Sequence, residues 1–304
     1  MVENFPAYPG DAMKNLFKTT LLSFVIMTNS YALCPQWSSK KTGLLDKSVI
    51  DEASGLVSSV LQKGKLIWSN DSGGDAALYA TSADGKLIKT VKLNNFSNTD
   101  YEGIASGPCP DNQADACLYV GDIGDGIGWR SSFKVGIFKE SDFWASTSIG
   151  PVKVIDFSYP GSANNSEALI VTPEGKILIL TKTEGSSQVF SLDLNGKMTK
   201  ISQIDLSAVI GPARGKAPRV TDASLSKDGD KLIVLTYGDV LEVNMASVTG
   251  VTTRNWVKGV DFTVAKGPNL PQQETITYIS EKSFIVSTES PDSNVPEIHT
   301  YTCN

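Results

Sequence analysis

One short signature returns five times along the chain and limits the architecture more than any other feature: an acidic residue followed by a small or apolar run. It reads EASGL at Glu52, YEGIA at Glu102, SEALI at Glu167, TDASL at Asp222 and QETIT at Glu274. The intervals are 50, 65, 55 and 52 residues, the length of a four-stranded propeller blade. Helical periodicity is nearly absent. Short runs rich in β-branched and apolar residues, bounded by Gly, Asn, Asp and Ser, recur instead. An all-β, five-bladed propeller is therefore predicted, with six blades as the alternative if the long second interval hides another sheet.

Each repeat divides into four strands. The first is predicted over 53–60, 65–70, 78–82 and 88–93, and the second over 103–106, 117–121, 133–138 and 152–157. The third covers 168–171, 177–181, 188–192 and 200–204; the fourth covers 223–226, 231–236, 240–244 and 253–257. The fifth has only three, at 275–279, 284–287 and 298–302. Residues 36–44 can supply the missing strand, so that both ends of the chain share a blade and no sheet edge is left open. The four cysteines permit three pairings. Cys34–Cys303 with Cys109–Cys117 is the expected one: the first locks the ring closed, and the second staples the CPDNQADAC loop.

Residues 1–32 are set apart as a leader. Residues 13–32, MKNLFKTTLLSFVIMTNSYA, have the basic start, apolar stretch and small final residues of a secretory signal peptide, with cleavage expected before Leu33. The apolar stretch is too short for a membrane span. Residues 1–12 read as lying upstream of the natural start. Residues 33–304 form one expected domain, periplasmic or secreted, where an even cysteine count favours disulfides. The net charge of −6 is spread evenly and basic residues do not cluster with aromatics, which argues against a nucleic-acid partner. A monomer with an unidentified small-molecule or envelope ligand is expected.

In a propeller the inner strands begin at one mouth of the central channel, so Glu52, Glu102, Glu167, Asp222 and Glu274 are predicted to converge there as metal ligands. The turns after the second strands return to the same face. They carry Asn70, Asp71, Asp125, Lys182, Tyr237 and Glu289, and Arg130 ends the nearby GDIGDGIG run; these are the candidate ligand contacts, and Asp122, on the same turn as Asp125, is a candidate base. Carboxylates about 5 Å apart repel by about 3 kcal/mol at an effective dielectric of 20. Either some take up protons or a cation sits among them. Oxygen donors with almost no imidazole or thiolate favour a hard ion, and Ca²⁺ suits an irregular cage. His299, the single histidine, is expected to be structural. No GxSxG or HExxH motif is present, and the GDIGDGIG run lacks the full phosphate-binding glycine spacing.

The blocks SNDSGG, DYEGIA, LYVGDIGDG with Arg130, SEALIVTPEGKILILTK and VTDASLSKDGDKLIVLTYGDV resemble a group of secreted bacterial β-propellers. EASGL followed by DYEGI is similar to SdiA-regulated and phytase-like propellers, and the ring of acids to calcium-activated apyrases. These resemblances imply a Ca²⁺-dependent propeller, some of whose relatives cleave phosphate esters. Two functions follow as expectations. One is a ligand-binding or scaffold module. The other is a metal-dependent phosphoesterase in which Glu102 or Asp122 is the base and Lys182 and Arg130 steady the phosphate.

Overall fold

A second strand that is apolar on both faces needs a sheet against each of them, and this requirement organises the fold. The computed structural model describes residues 1, 32–213, 215–249, 256–268, 271–289 and 295–304. Five sheets form from Ala32 onward, antiparallel apart from one short strand added to the first. After β1 (Trp37–Leu44), blade 1 comprises β2 (Ala53–Ser58), β3 (Lys65–Asn70), β4 (Ala77–Ser82) and β5 (Leu87–Leu93). Blade 2 contains β6 (Tyr101–Pro108), β7 (Ala116–Asp122) and β8 (Phe133–Lys139). The helix α1 (Glu140–Ala145) and the short β9 (Ser148–Ile149) then precede its outer strand, β10 (Lys153–Phe157). Blade 3 is β11 (Ser166–Val171), β12 (Ile177–Thr181), β13 (Ser186–Leu192) and β14 (Met198–Asp205), followed by the one-turn helix α2 (Leu206–Val209). Blade 4 is β15 (Val220–Leu225), β16 (Lys231–Thr236), β17 (Val240–Asn244) and, after α3 (Met245–Thr249), β18 (Phe262–Ala265). Blade 5 joins β19 (Gln273–Ser280), β20 (Ser283–Thr288) and β21 (Glu297–Cys303) to β1.

The inner strands β2, β6, β11, β15 and β19 each pack on the next, and β19 returns to β2, which closes a five-membered ring. The hydrophobic core lies between the blades. In β16, Leu232 and Val234 pack into the cluster shared with blade 3, while Ile233 and Leu235 join the cluster shared with blade 5. In β12, Leu178 and Leu180 face blade 4, and Ile177 and Ile179 face blade 2. Alternation along a strand thus splits one apolar run between two interfaces. Each such side chain contributes about 1.5–3 kcal/mol on burial.

There are five blades and not six. The long second interval is taken up by the loop after β7, by α1 and by β9, which adds to blade 1 by pairing in parallel with β5. Blade 4 also departs from expectation. Its outer strand is Phe262–Ala265; of the predicted 253–257 strand, 253–255 lie outside the described residues and Trp256 and Val257 are not in a strand. The helices α1, α2 and α3 are not among the elements predicted. The leader expected over 1–32 also falls outside the described residues, apart from Met1 and Ala32.

Closure matches the expected geometry. Antiparallel β1 runs along β21 from Trp37 opposite Cys303 to Leu44 opposite Glu297. Cys34 and Cys303 are bonded across 269 residues, and Cys109 and Cys117 across 8, in the connection from β6 to β7. The Cys34 backbone N–H also donates to the buried carboxylate of Glu242 at 2.7 Å. These bridges are the chemistry of an oxidising compartment. No helix among the described residues is long and apolar enough to cross a membrane. Because the entropy removed from the unfolded chain grows with loop length, we expect Cys34→Ser with Cys303→Ser to cost about 5–6 kcal/mol, and Cys109→Ser with Cys117→Ser about 2.5 kcal/mol. Urea unfolding of the two variants checks the order, and an equal or smaller loss for the terminal bridge would contradict it.

Candidate metal centre at the channel mouth

All five inner strands carry a β-bulge at the same place. Pairing with the second strand skips one residue in each blade: Ser54, Glu102, Glu167, Thr221 and Glu274. A bulge re-aims its side chain out of the normal alternation, so these five equivalent positions form a buried ring of three carboxyls and two hydroxyls. The residue two before each bulge makes a second tier: Glu52, Asp100, Asn165, Arg219 and Gln272. The residue after each second strand makes a third: Asp71, Ile123, Lys182, Tyr237 and Glu289. Backbone bonds tie the last two tiers together, Asp71 N–H to Glu52 O (2.8 Å), Lys182 N–H to Asn165 O (2.9 Å) and Glu289 N–H to Gln272 O (3.0 Å).

This register places the predicted ligands individually. Glu102, Glu167 and Glu274 occupy the ring. Glu52 is exposed, two residues before the ring position held by Ser54. Asp222 follows the ring position held by Thr221, and its buried carboxylate accepts from Ala223 N–H (2.8 Å) and Ile276 N–H (2.7 Å), joining blades 4 and 5. Among the described residues, the carboxylates close enough to share an ion are Asp71, Asp100 and Glu102, whose oxygens lie within 4.8 Å of one another. Only Glu102 was among the five expected metal ligands; Asp71 was expected as a ligand contact, and Asp100 was missed. Its signal was the DYEG block itself, in which the acid two places before Glu102 is a tier position.

The group opens onto a cavity of about 380 Å³ between blades 1, 2 and 3, also lined by Trp129, Asn165, Glu167 and Lys182. The Ser54 hydroxyl donates to Glu102. Asn98 ties the two halves of the acidic group: its side chain donates to Asp71 O (2.6 Å) and accepts from Tyr101 N–H (3.1 Å). Asp122 accepts from Asp100 N–H (2.9 Å) and pairs with Arg130 at 3.0 Å. Asp125 accepts from the N–H groups of Trp129 (2.8 Å) and Arg130 (3.1 Å), and its own N–H donates to Asn165 (2.7 Å), so the loop after β7 is pinned to blade 3. Lys182 pairs with Glu167 at 3.0 Å and lies over the Tyr237 ring at 5.2 Å. Asn70 points elsewhere, donating to Val49 O at 3.0 Å, and Glu289 accepts from Gln272. His299 pairs with Glu297 on β21.

Burial, then contact with Asp71, pushes Asp100 up to about 7. Burial and the neighbouring Glu167 and Asp71 charges raise Glu102 well above the carboxylate range. Burial likewise raises Glu274 despite Lys182, and lifts Glu289 to about 8 with help from Asp71. For Lys182, burial opposes the charge, but Glu274 and Glu167 outweigh it and push the ammonium above its ordinary range. Among the described residues, the mouth therefore holds more carboxyls than the Lys182 ammonium can neutralise. Protons or an added cation must make up the difference.

No protein-family model matches the sequence, and no curated protein sequence does. Among solved structures the chain is similar to luciferin-regenerating enzyme, with 10% identity over 88% of this chain and 95% of that one and a TM-score of 0.47. It is also similar to the PQQ-bound aldose sugar dehydrogenase of Streptomyces coelicolor, with 10% identity over 88% and 98% of the two chains and a TM-score of 0.45.

The raised carboxyls set a pH dependence. In metal-free protein the folded state keeps protons that the unfolded chain releases above about pH 4.5, so stability falls as pH rises through the window to about 8. We expect the melting temperature in EGTA to drop between pH 5 and pH 8, and Ca²⁺ to raise it more at pH 8, where fewer protons must be displaced. Thermal melts in the four conditions check this; an equal calcium effect at both pH values would contradict it.

Proposed function

We propose that this protein is an exported, calcium-dependent ligand-binding propeller. The observation that carries the reading is the convergence of Asp71, Asp100 and Glu102 from two blades onto one open cavity. The grouped ligand atoms are all carboxylate oxygens, a set suited to Ca²⁺, which accepts six to eight irregularly placed oxygens and leaves positions for water or ligand. The two disulfides support export.

Binding is favoured over phosphate-ester hydrolysis by the state of the basic side chains. Arg130 is held by Asp122, by Gly124 O (2.7 Å) and by Asp122 O (3.2 Å), and it lies over the Phe133 ring. Lys182 is held by Glu167. Asp122 is 1% exposed, with Oδ1 engaged by Arg130 and by Asp100 N–H, so it lies out of reach of a water at the cavity. Isothermal titration with Ca²⁺ at pH 7.5 tests the reading. Wild-type protein is expected to show one site, weakened at least tenfold in Asp71→Asn and in Glu102→Gln, with no turnover of phosphomonoesters, diesters or nucleotides. A flat calcium titration of the wild type would remove the proposal.

A further inference from the structure

The chemistry of the remaining cavity wall indicates what class of ligand accompanies the ion. Of the five tryptophans, Trp129 alone is exposed, at 66%, and Ile127 beside it is 84% exposed; both line the cavity. Single exposed apolar side chains are ordinary, but Ile127 and Trp129 stand together at the rim of a polar cleft, and an adjoining pair in that position offers a contact surface. The backbone beneath it is fixed, because Asp125 accepts the Trp129 N–H and is itself bonded to Asn165. The indole is thus presented on a pinned loop, which lowers the ordering cost of stacking a ligand against it.

Charge decides between ligand classes. The cavity is lined by four acids, Asp71, Asp100, Glu102 and Glu167, and by two bases, Arg130 and Lys182. Both bases are already paired with carboxylates at 3.0 Å. With Arg130 neutralised by Asp122 and Lys182 by Glu167, one divalent ion against Asp71, Asp100 and Glu102 leaves the wall slightly negative, with no spare positive charge for a phosphate or carboxylate. An anionic ligand would meet residual repulsion, and a cationic one would compete with the metal. A neutral ligand rich in hydroxyls fits on both counts. Vicinal hydroxyls can replace water on a calcium ion, Asn165 and the carboxylates can accept from the remaining hydroxyls, and the C–H face of a sugar ring packs on an indole. A cavity of about 380 Å³ lies at the small end of small-molecule sites.

We infer that the cavity binds a neutral saccharide, held between the cation at Asp71, Asp100 and Glu102 and the exposed face of Trp129. The inference rests on the calcium reading above. Quenching of intrinsic fluorescence and calorimetry on calcium-loaded full-length protein test it, with methyl glucosides, galactosides and mannosides, neutral disaccharides, glucose 6-phosphate and inorganic phosphate as probes. At least one neutral saccharide is expected to bind, at least tenfold more tightly than the phosphorylated sugar, with loss of binding in EGTA. Trp129→Ala should weaken it at least tenfold while calcium still titrates, and Trp129→Phe should recover part of the loss. Calcium binding with no response to any neutral saccharide overturns the inference alone. So does phosphorylated sugar binding as tightly as the neutral one, or a Trp129→Ala variant that binds like the wild type. Absence of calcium binding overturns the calcium reading, and this inference falls with it.

Discussion

The structure depends on second strands that bury both faces. Leu232 with Val234 and Ile233 with Leu235 point to opposite sides of β16, and each pair is buried against a different neighbouring blade. No open stack of sheets satisfies that demand at its two ends. A ring does, provided that the first and last sheets meet. Here they meet through β1 and β21, and the Cys34–Cys303 bridge fixes the joint covalently. Closure is therefore a condition for the core itself and more than a finishing detail at the chain ends.

The same closure creates the mouth. Five inner strands entering side by side bring five equivalent bulge positions together, and what occupies them is free to vary because the bulge is held by backbone pairing. Three blades place carboxyls there and two place hydroxyls, which breaks the symmetry of the ring. Lys182 neutralises the blade 3 side through Glu167, so the uncompensated negative charge collects at Asp71, Asp100 and Glu102 between blades 1 and 2. The result is an off-axis acidic cavity, with the Trp129 loop at its rim.

Much of this was legible in the residues. The second strands 65–70, 177–181 and 231–236 and the third strand 240–244 were delimited as they occur, because a run buried on both faces has abrupt polar ends. Outer strands were less legible: Phe262–Ala265 is four residues long and sits beyond a helix, so its pattern carries little signal. The acids were found where an acid stands on the bulge, as at Glu102, Glu167 and Glu274. They were misaligned in blades 1 and 4, where Ser54 and Thr221 hold that position and Glu52 and Asp222 stand nearby. A search for carboxylates cannot see a bulge, which is a property of pairing between strands. The approach of Asp100 to Asp71 was hidden for a related reason, since it depends on how two blades abut.

A crystal structure of the protein grown with Ca²⁺, with anomalous data to identify the ion, shows whether the mouth is a metal centre. A calcium ion is expected with carboxylate oxygens of Asp71, Asp100 and Glu102 at about 2.3–2.6 Å and its remaining positions open to the cavity. An ion bound elsewhere, or a mouth in which those three carboxyls share protons with no ion at saturating calcium, would contradict it.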